Sequence, residues 1–196
     1  MGKQKYRKEI EALLAKSPVV HISSIAAIIE QKKRVRQYVK RCINVLLAAG
    51  KIKQLSKGWY TTRDDPSLAV FCFQPAYLGL QDALSMHNLW EQETIPIIIT
   101  VKKVRQGIRS ILGKNVLIRR IKKEYYFGLT YIQHESVALP YTDVEKTLID
   151  LVYFHQPISK VTLKTMKKKI DLKKLAIYIK NYPRTFQKKL NNLLRA

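Results

Sequence analysis

Between positions 34 and 49 the apolar residues Val35, Tyr38, Val39, Cys42, Ile43, Leu46 and Leu47 recur at three- and four-residue spacing. That spacing gathers them on one face of an amphipathic helix, and Gly50 supplies a left-handed C-terminal stop. Two shorter striped segments precede it. Residues 5–16 place Ile10, Leu13 and Leu14 on one face and end at Ser17-Pro18. Residues 22–30 do the same with Ile25, Ile28 and Ile29, with Ser23 or Ser24 as candidate N-cap. After the long helix come Ile52-Lys53-Gln54-Leu55, a Ser56-Lys57-Gly58 turn and Trp59-Tyr60-Thr61, the pattern of a short hairpin.

Helix, short helix, turn, longer helix and hairpin is the order of a winged helix-turn-helix, in which the third helix enters the major groove. The outward side chains of the third helix fit that task. They are Arg34, Arg36, Gln37, Lys40, Arg41 and Asn44, with Lys32 and Lys33 at its entrance and Lys57 at the hairpin tip. Arg, Lys, Gln and Asn are the types that pair with base edges or phosphates. From Gln31 to Gly50 there is no carboxylate. A helix that needs only to be soluble mixes its charges for pairing one turn apart. Double-stranded DNA is the expected partner of this face.

The charge distribution supports a polyanionic partner. The chain of 196 residues carries 37 Lys and Arg against 14 Asp and Glu, a formal +23. Residues 1–65 account for 15 basic and 5 acidic side chains, residues 66–157 for 10 and 8, and residues 158–196 for 12 and 1. Two basic ends therefore flank a nearly neutral middle, which implies separate tasks. Cys42 and Cys72 form no CxxC pair, so neither a zinc knuckle nor a disulfide framework is expected, and a reducing cytoplasm is the natural compartment. The longest greasy run, Ile95–Ile99, is of strand length. No membrane span, signal peptide or myristoylation motif is expected, nor any membrane partner.

Asp64-Asp65-Pro66-Ser67 marks a first joint, with Asp65 capping an element that starts at Pro66. Residues 77–88 read as a short helix. Strands are expected at 95–101, 116–121, 125–131 and 137–139. Thr142-Asp143-Val144-Glu145 matches a capping box opening a helix whose inward residues are Val144, Leu148, Leu151 and Val152. The run from Tyr77 to Leu89 (YLGLQDALSMHNL), the strand residues Ile98-Ile99-Thr100-Val101 and the run from Asp143 to Tyr153 (DVEKTLIDLVY) resemble the AbiEi family. These are antitoxins and transcriptional regulators of abortive-infection toxin–antitoxin systems. The likeness extends over roughly residues 5–190 and departs at Gly79, where a small capping residue such as Ser is expected. It implies an N-terminal domain that binds inverted repeats in its own promoter and represses the operon. It also implies a C-terminal part that counteracts a nucleotidyltransferase-like toxin without a stable complex.

Three other motifs invite chemistry. Glu145, Lys146 and Asp150 suggest a nuclease centre, but Glu145-Lys146 are adjacent where acid, any residue, lysine is needed, and Glu145 already serves the capping box. Gly107 to Lys114 looks like a phosphate loop, yet five residues separate the glycines where four are required, and Asn115 replaces the magnesium-holding Ser or Thr. His21, His87, His134 and His155 have no metal-ligand spacing. No catalytic residue, metal or cofactor is expected.

The tail shows apolar stripes in 159–169, 171–181 and 184–195. The second is Leu172, Leu175, Ala176 and Ile179 with Asp171 as N-cap; the third is Phe186, Leu190, Leu193 and Leu194. Lys167, Lys168, Lys169, Lys173, Lys174, Lys188 and Lys189 form a candidate second basic surface for phosphates or an acidic partner. The expected class is α+β: a winged helix-turn-helix over 1–63, a mixed α/β antitoxin domain over 64–157, and a basic helical extension over 158–196 packed on the second domain. The expected function is a DNA-binding autorepressor that doubles as an antitoxin. The alternatives are a non-specific or architectural DNA- or RNA-binding protein and, further off, a nucleic-acid-acting enzyme.

Overall fold

The computed structural model describes residues 6–29 and 35–195, without the side chains of residues 7, 35 and 36. It is a mixed α/β chain that divides into two compact units. One comprises the residues up to Cys72 with Ser110–Lys114; the other comprises Phe73–Arg109 and the chain from Asn115 onward.

The first unit begins with α1 (Arg7–Lys16), closed by the Ser17 amide donating to the Leu13 carbonyl. A two-residue strand, β1 (Val20–His21), leads into α2 (Ile22–Ile28) and then α3 (Val35–Ala48). The N-cap of α2 is neither expected serine. It is His21, whose Nδ1 accepts from the Ser23 amide at 3.3 Å and lies 2.7 Å from the Ser23 hydroxyl. Gly50 stops α3 in the left-handed region (φ 65°), with its amide on Leu47 O and the Lys51 amide on Leu46 O, both at 3.0 Å. The hairpin β2 (Lys53–Ser56) and β3 (Trp59–Thr61) follows, and β1 joins it in a three-stranded antiparallel sheet of order β1-β3-β2. The buried Thr61 hydroxyl donates to Pro18 O at 2.7 Å, tying the hairpin to the end of α1. Ile10, Leu14, Ile25, Ile29, Val39, Ile43 and Leu46 form the core on which all three helices meet.

A 3₁₀ helix over Pro66–Phe73 starts where Asp65 accepts from the Ser67 amide at 2.8 Å. A six-stranded sheet is built on β4 (Ala76–Leu78), β5 (Ile97–Thr100), β6 (Gly107–Ile111), β7 (Lys114–Arg120), β8 (Leu129–His134) and β9 (Val137–Thr142), in the order β6-β7-β5-β4-β9-β8. It belongs to the second unit apart from Ser110–Lys114 at its β6–β7 turn. β4 runs antiparallel to β5 and parallel to β9, β5 is parallel to β7, and β8 and β9 are antiparallel. Here the expected helix at 77–88 is corrected. Tyr77 and Leu78 are strand residues in the middle of the sheet, opposite Ile99 and Ile98, and α4 spans only Leu80–Met86. The run keeps helical spacing, but β5 on one side and β9 on the other offer Tyr77 and Leu78 a ladder that outweighs one more helical turn. Gly79 is the N-cap of α4, and a Cβ there would lie 2.7 Å from the Ile99 terminal methyl, so serine would crowd the strand beneath. The Gly107 to Lys114 segment is a β-hairpin. Its two turn residues, Leu112 and Gly113, have φ of 52° and 76°, the paired positive angles that suit a tight hairpin.

Helix α5 (Val144–Tyr153) is the centre of this unit. It packs against α4, β9 and three C-terminal helices: α6 (Lys160–Lys169), α7 (Leu172–Ile179) and α8 (Arg184–Arg195). Every residue from Glu145 to Val152 is buried, so its polar side chains must find partners inside the protein. The expected capping box is corrected. Asp143, not Thr142, is the N-cap, accepting from the Lys146 amide at 2.8 Å, while the Thr142 and Thr147 hydroxyls pair at 2.8 Å. Glu145 reaches across to α7, where its Oε1 accepts from the Asp171 amide at 2.8 Å. Asp171 itself caps α7, as the sequence indicates. The apolar stripe of α7 holds in part: Leu175 is buried and Ile179 packs on the core as expected, but Leu172 is 68% exposed and Ala176 is exposed, and Tyr178 joins the packed face.

Lys146 and Asp150 have no exposed side-chain surface and form an ion pair one helical turn apart. Tyr77 donates its hydroxyl to Asp150 Oδ2 at 2.8 Å, and the Lys146 ammonium lies 3.3 Å from the Tyr182 hydroxyl and 5.2 Å from the centre of the Phe127 ring. Burial draws Lys146 below the usual lysine range and pushes Asp150 above the usual carboxylate range; each charge partly offsets the shift of the other. Gly128 (φ 69°) passes so close that a Cβ there would sit 2.7 Å from Lys146 Cβ.

Two predictions follow from α5. Lys146→Met strands the Asp150 charge and is expected to cost ~3–5 kcal/mol in denaturant unfolding, whereas Lys146→Met with Asp150→Leu recovers most of that loss. Equal destabilisation by the single and double variants would contradict a pair held by mutual compensation. The second concerns Tyr178. Burial and then its 2.9 Å bond to Asp143 raise its phenol from 10.0 to about 12. A raised folded-state value means that this stabilisation is complete below pH about 10 and is lost as pH climbs from there through about 12. Stability measured against pH should therefore fall less steeply in that window for Tyr178→Phe than for the parent chain.

Candidate nucleic-acid interface

Helix α3 separates its faces cleanly. Val39, Ile43 and Leu46 point into the core of the first unit, and Gln37, Lys40, Arg41 and Asn44 are exposed. Among the described residues, none of those four side chains makes a hydrogen bond or ion pair. Two described carboxylates of this unit are engaged elsewhere: Glu11 pairs with Lys51 and Asp64 with Lys53, each at 2.9 Å. The Lys53 hydrogen bond and charge hold Asp64 below the usual carboxylate range. The α3 face is left with unneutralised cations and free amide donors, the equipment for phosphates and base edges.

The hairpin tip stands beside α2. Lys57 and Gly58 make the two-residue turn between β2 and β3, with Gly58 at φ 80° and its carbonyl accepting from the Ile22 amide at 2.8 Å. The His21 ring packs on Trp59 with centroids 4.6 Å apart. Lys57 itself is exposed. Between α2, α3 and the hairpin opens a cleft of about 750 Å³, floored by Ile22, Val39, Ile43 and Tyr60. Its polar rim is His21, Ser23, Lys40, Asn44, Gln54 and Lys57. A second, shallower depression of about 430 Å³ continues along α3 past Lys40 and Asn44 to Gln37, Arg41, Val45 and Ala48. Among the described residues no carboxylate lines either.

The structure thus brings Gln37, Lys40, Arg41, Asn44 and Lys57 to one surface of the first unit. Lys32, Lys33 and Arg34 lie outside the described residues. Arg36 is placed on α3, but its side chain is outside the described part. Three contributors escaped the sequence reading. His21 and Gln54 reach the cleft through strand pairing, which carries no local signal. Val45, 50% exposed, lies out of phase with the apolar stripe and could have been found from that alone; an exposed apolar group on such a face suits contact with a thymine methyl.

The candidate second surface is smaller than its lysine count suggests. Lys174 is corrected: its ammonium pairs with Asp143 at 2.9 Å and Glu145 at 3.2 Å, clasping α7 to the start of α5. Burial opposes the charge, but those two carboxylates raise Lys174 above the usual lysine range. Lys169 donates to the His87 carbonyl at 2.6 Å. Lys189 lies 3.2 Å from His155 Nδ1. Lys167, Lys168, Lys173 and Lys188 remain exposed. Glu145, Lys146 and Asp150 are turned inward, as described above, and His87 packs with Nε2 donating to Thr142 O at 2.6 Å. Among the described residues no cluster of His, Cys, Asp and Glu could hold a metal ion, and no helix is long and apolar enough to cross a membrane.

No family model matches the chain, and no curated protein does. Among solved structures, the crystal structure of the RV2827C protein from Mycobacterium tuberculosis is similar, with a TM-score of 0.64 at 13% identity over 97% of this chain and 76% of that one. At that identity the likeness is one of fold: the chain shares a mixed α/β architecture with the mycobacterial protein.

Proposed function

We propose that this chain is a DNA-binding transcriptional autorepressor that also acts as an antitoxin. In this reading the first unit is a winged helix-turn-helix, with α3 in the major groove and the hairpin against the sugar–phosphate backbone. The observation that carries it is the α3 face, where Gln37, Lys40, Arg41 and Asn44 are exposed without a carboxylate and continue into a cleft that ends at Lys57. Duplex DNA meets both halves of that surface at once, phosphates at the lysines and base edges at Arg41, Asn44 and Gln37.

The antitoxin role rests on the resemblance to the AbiEi family, and the second unit supports it in one respect. The three runs that carry the resemblance are neighbours: β4 pairs with β5, α4 packs on α5, and Tyr77 bonds Asp150. They form one packed core instead of scattered surface matches. The buried state of Glu145, Lys146 and Asp150 favours this reading over an enzyme centred on them, because a reacting group must meet its substrate. The toxin would be nucleotidyltransferase-like and counteracted without a stable complex, and the compartment cytoplasmic.

Footprinting on the chain's own promoter region tests the first half. A discrete protected inverted repeat is expected, and replacing Arg36, Lys40 and Arg41 together by Ala should abolish it. Arg41→Ala alone should cost ~1–3 kcal/mol if it reads a base. Lys57→Ala should weaken all sequences alike and lower the salt slope by ~1. Protection without sequence preference would leave an architectural nucleic-acid binder instead. Co-expression with a neighbouring nucleotidyltransferase-like gene tests the second half: the triple-alanine variant is expected still to restore growth, since the proposed neutralising region is the other unit.

A further inference from the structure

In the second unit a depression of about 310 Å³ lies between the end of α5 and the start of α8, near the small end of the usual ~300–1,000 Å³ range for ligand sites. Its walls are aromatic. Tyr125, Tyr182 and Phe186 form a continuous stack, with ring centroids 4.1 Å and 4.6 Å apart and planes within 15° and 25° of each other. Tyr153 meets Tyr125 edge-on at 5.4 Å. Tyr125 and Tyr182 are buried in this stack, while Tyr153 and Phe186 keep ring surface open to the depression.

The rim is cationic. Lys122 and Lys189 line it with His155; Glu124 is not among the lining residues but stands beside them, hydrogen-bonded to the Tyr125 hydroxyl. Lys122 holds only a loose 3.6 Å contact with the exposed Glu124. His155 adopts a positive φ of 54°, a conformation costly for a residue with a Cβ, and its Nδ1 sits 3.2 Å from the Lys189 ammonium. An ammonium has no acceptor, so the imidazole nitrogen must accept there. Core packing explains the stacked rings. It does not explain an open recess whose rim carries two lysines and a histidine, with the exposed Glu124, beside Lys122 and the Tyr125 hydroxyl, as a neighbouring acid. A ligand satisfying both features is flat, aromatic and anionic.

We propose that this recess binds one unpaired nucleotide of a single-stranded nucleic acid, the base against Phe186 and Tyr153 and its phosphate between Lys122, Lys189 and His155. A strand fits better than a free nucleotide because of charge. Helix α8 carries Arg184, Lys188, Lys189 and Arg195 and no acid, and the segment 158–196 holds 12 basic residues against 1 acidic, enough to follow a backbone beyond the recess. A duplex keeps its bases stacked inside and cannot fill the site. The proposal is independent of the duplex-binding role given to the first unit.

The test uses the full chain with Arg36, Lys40 and Arg41 replaced by Ala, so that loss of α3 binding does not enter the result. Fluorescence anisotropy with a labelled oligouridylate is expected to show binding that Lys122→Glu and Lys189→Glu each weaken about tenfold, with the exposed Lys167→Glu as the same charge change outside the recess and a smaller effect. Phe186→Leu, which keeps apolar bulk, should also weaken binding, and a 5-bromouracil strand should photocrosslink to Tyr153 or Phe186. Equal losses from Lys167→Glu and Lys189→Glu, crosslinks confined to other residues, or no binding would overturn the proposal. Free uridine monophosphate binding as tightly as the strand would overturn it too, assigning the recess to a small ligand.

Discussion

A lysine and an aspartate with no exposed side-chain surface, one turn apart on α5, are the constraint around which the second unit is arranged. Removing two charges from water is expensive unless each meets the other and its remaining hydrogen-bonding capacity is filled. Tyr77 from β4 and Tyr182 from the turn before α8 bring hydroxyls to the pair, and Phe127 covers the ammonium with its ring. Gly128 is the residue that lets the chain pass over Lys146. Strand, loop and C-terminal helix are thereby required in one place, and the pair acts as a test that only the correct packing of α5 passes. The same helix start is held a second time, at lower cost, where Lys174 and Tyr178 from α7 meet Asp143.

Charge is divided with the same economy. In the first unit Glu11 on α1 and Asp64 after the hairpin are paired, and among the described residues no carboxylate pairs with Lys40 or Arg41 of α3. In the second unit Asp143, Glu145 and Asp171 cap or clasp helices, and the basic residues of α6 and α8 face solvent largely unopposed. A net charge of +23 is thus more than an average over the surface. It leaves exposed cations on α3, α6 and α8 that are available to polyanions.

Much of the first unit was legible from periodicity because its contacts are local. The α3 stripe, the Gly50 stop and the hairpin turn each depend on a few neighbours in sequence. The three C-terminal helices were legible for the same reason, down to Asp171 as a cap. The errors share a cause as well. Tyr77 and Leu78 keep helical spacing but are claimed by strands about 20 and 60 residues away. Glu145 has the spacing of a capping box yet finds a better donor at the start of α7. The Gly107 to Lys114 run, which its glycine spacing and Asn115 exclude as a phosphate loop, is a tight hairpin.

The sequence by itself determined which helices form, where they stop and that one helix face is free of acid, because propensity, capping and periodicity act over four or five residues. It also determined that the charge is concentrated at the two ends. Only the tertiary structure decided that Lys146 and Asp150 are interior, that Lys174 is a clasp and not a docking residue, and that Tyr125, Tyr153 and Phe186 share a recess with Lys122 and Lys189. Each of these depends on which distant segment comes to cover or join a side chain, and the desolvation and pairing that follow have no counterpart in the local pattern.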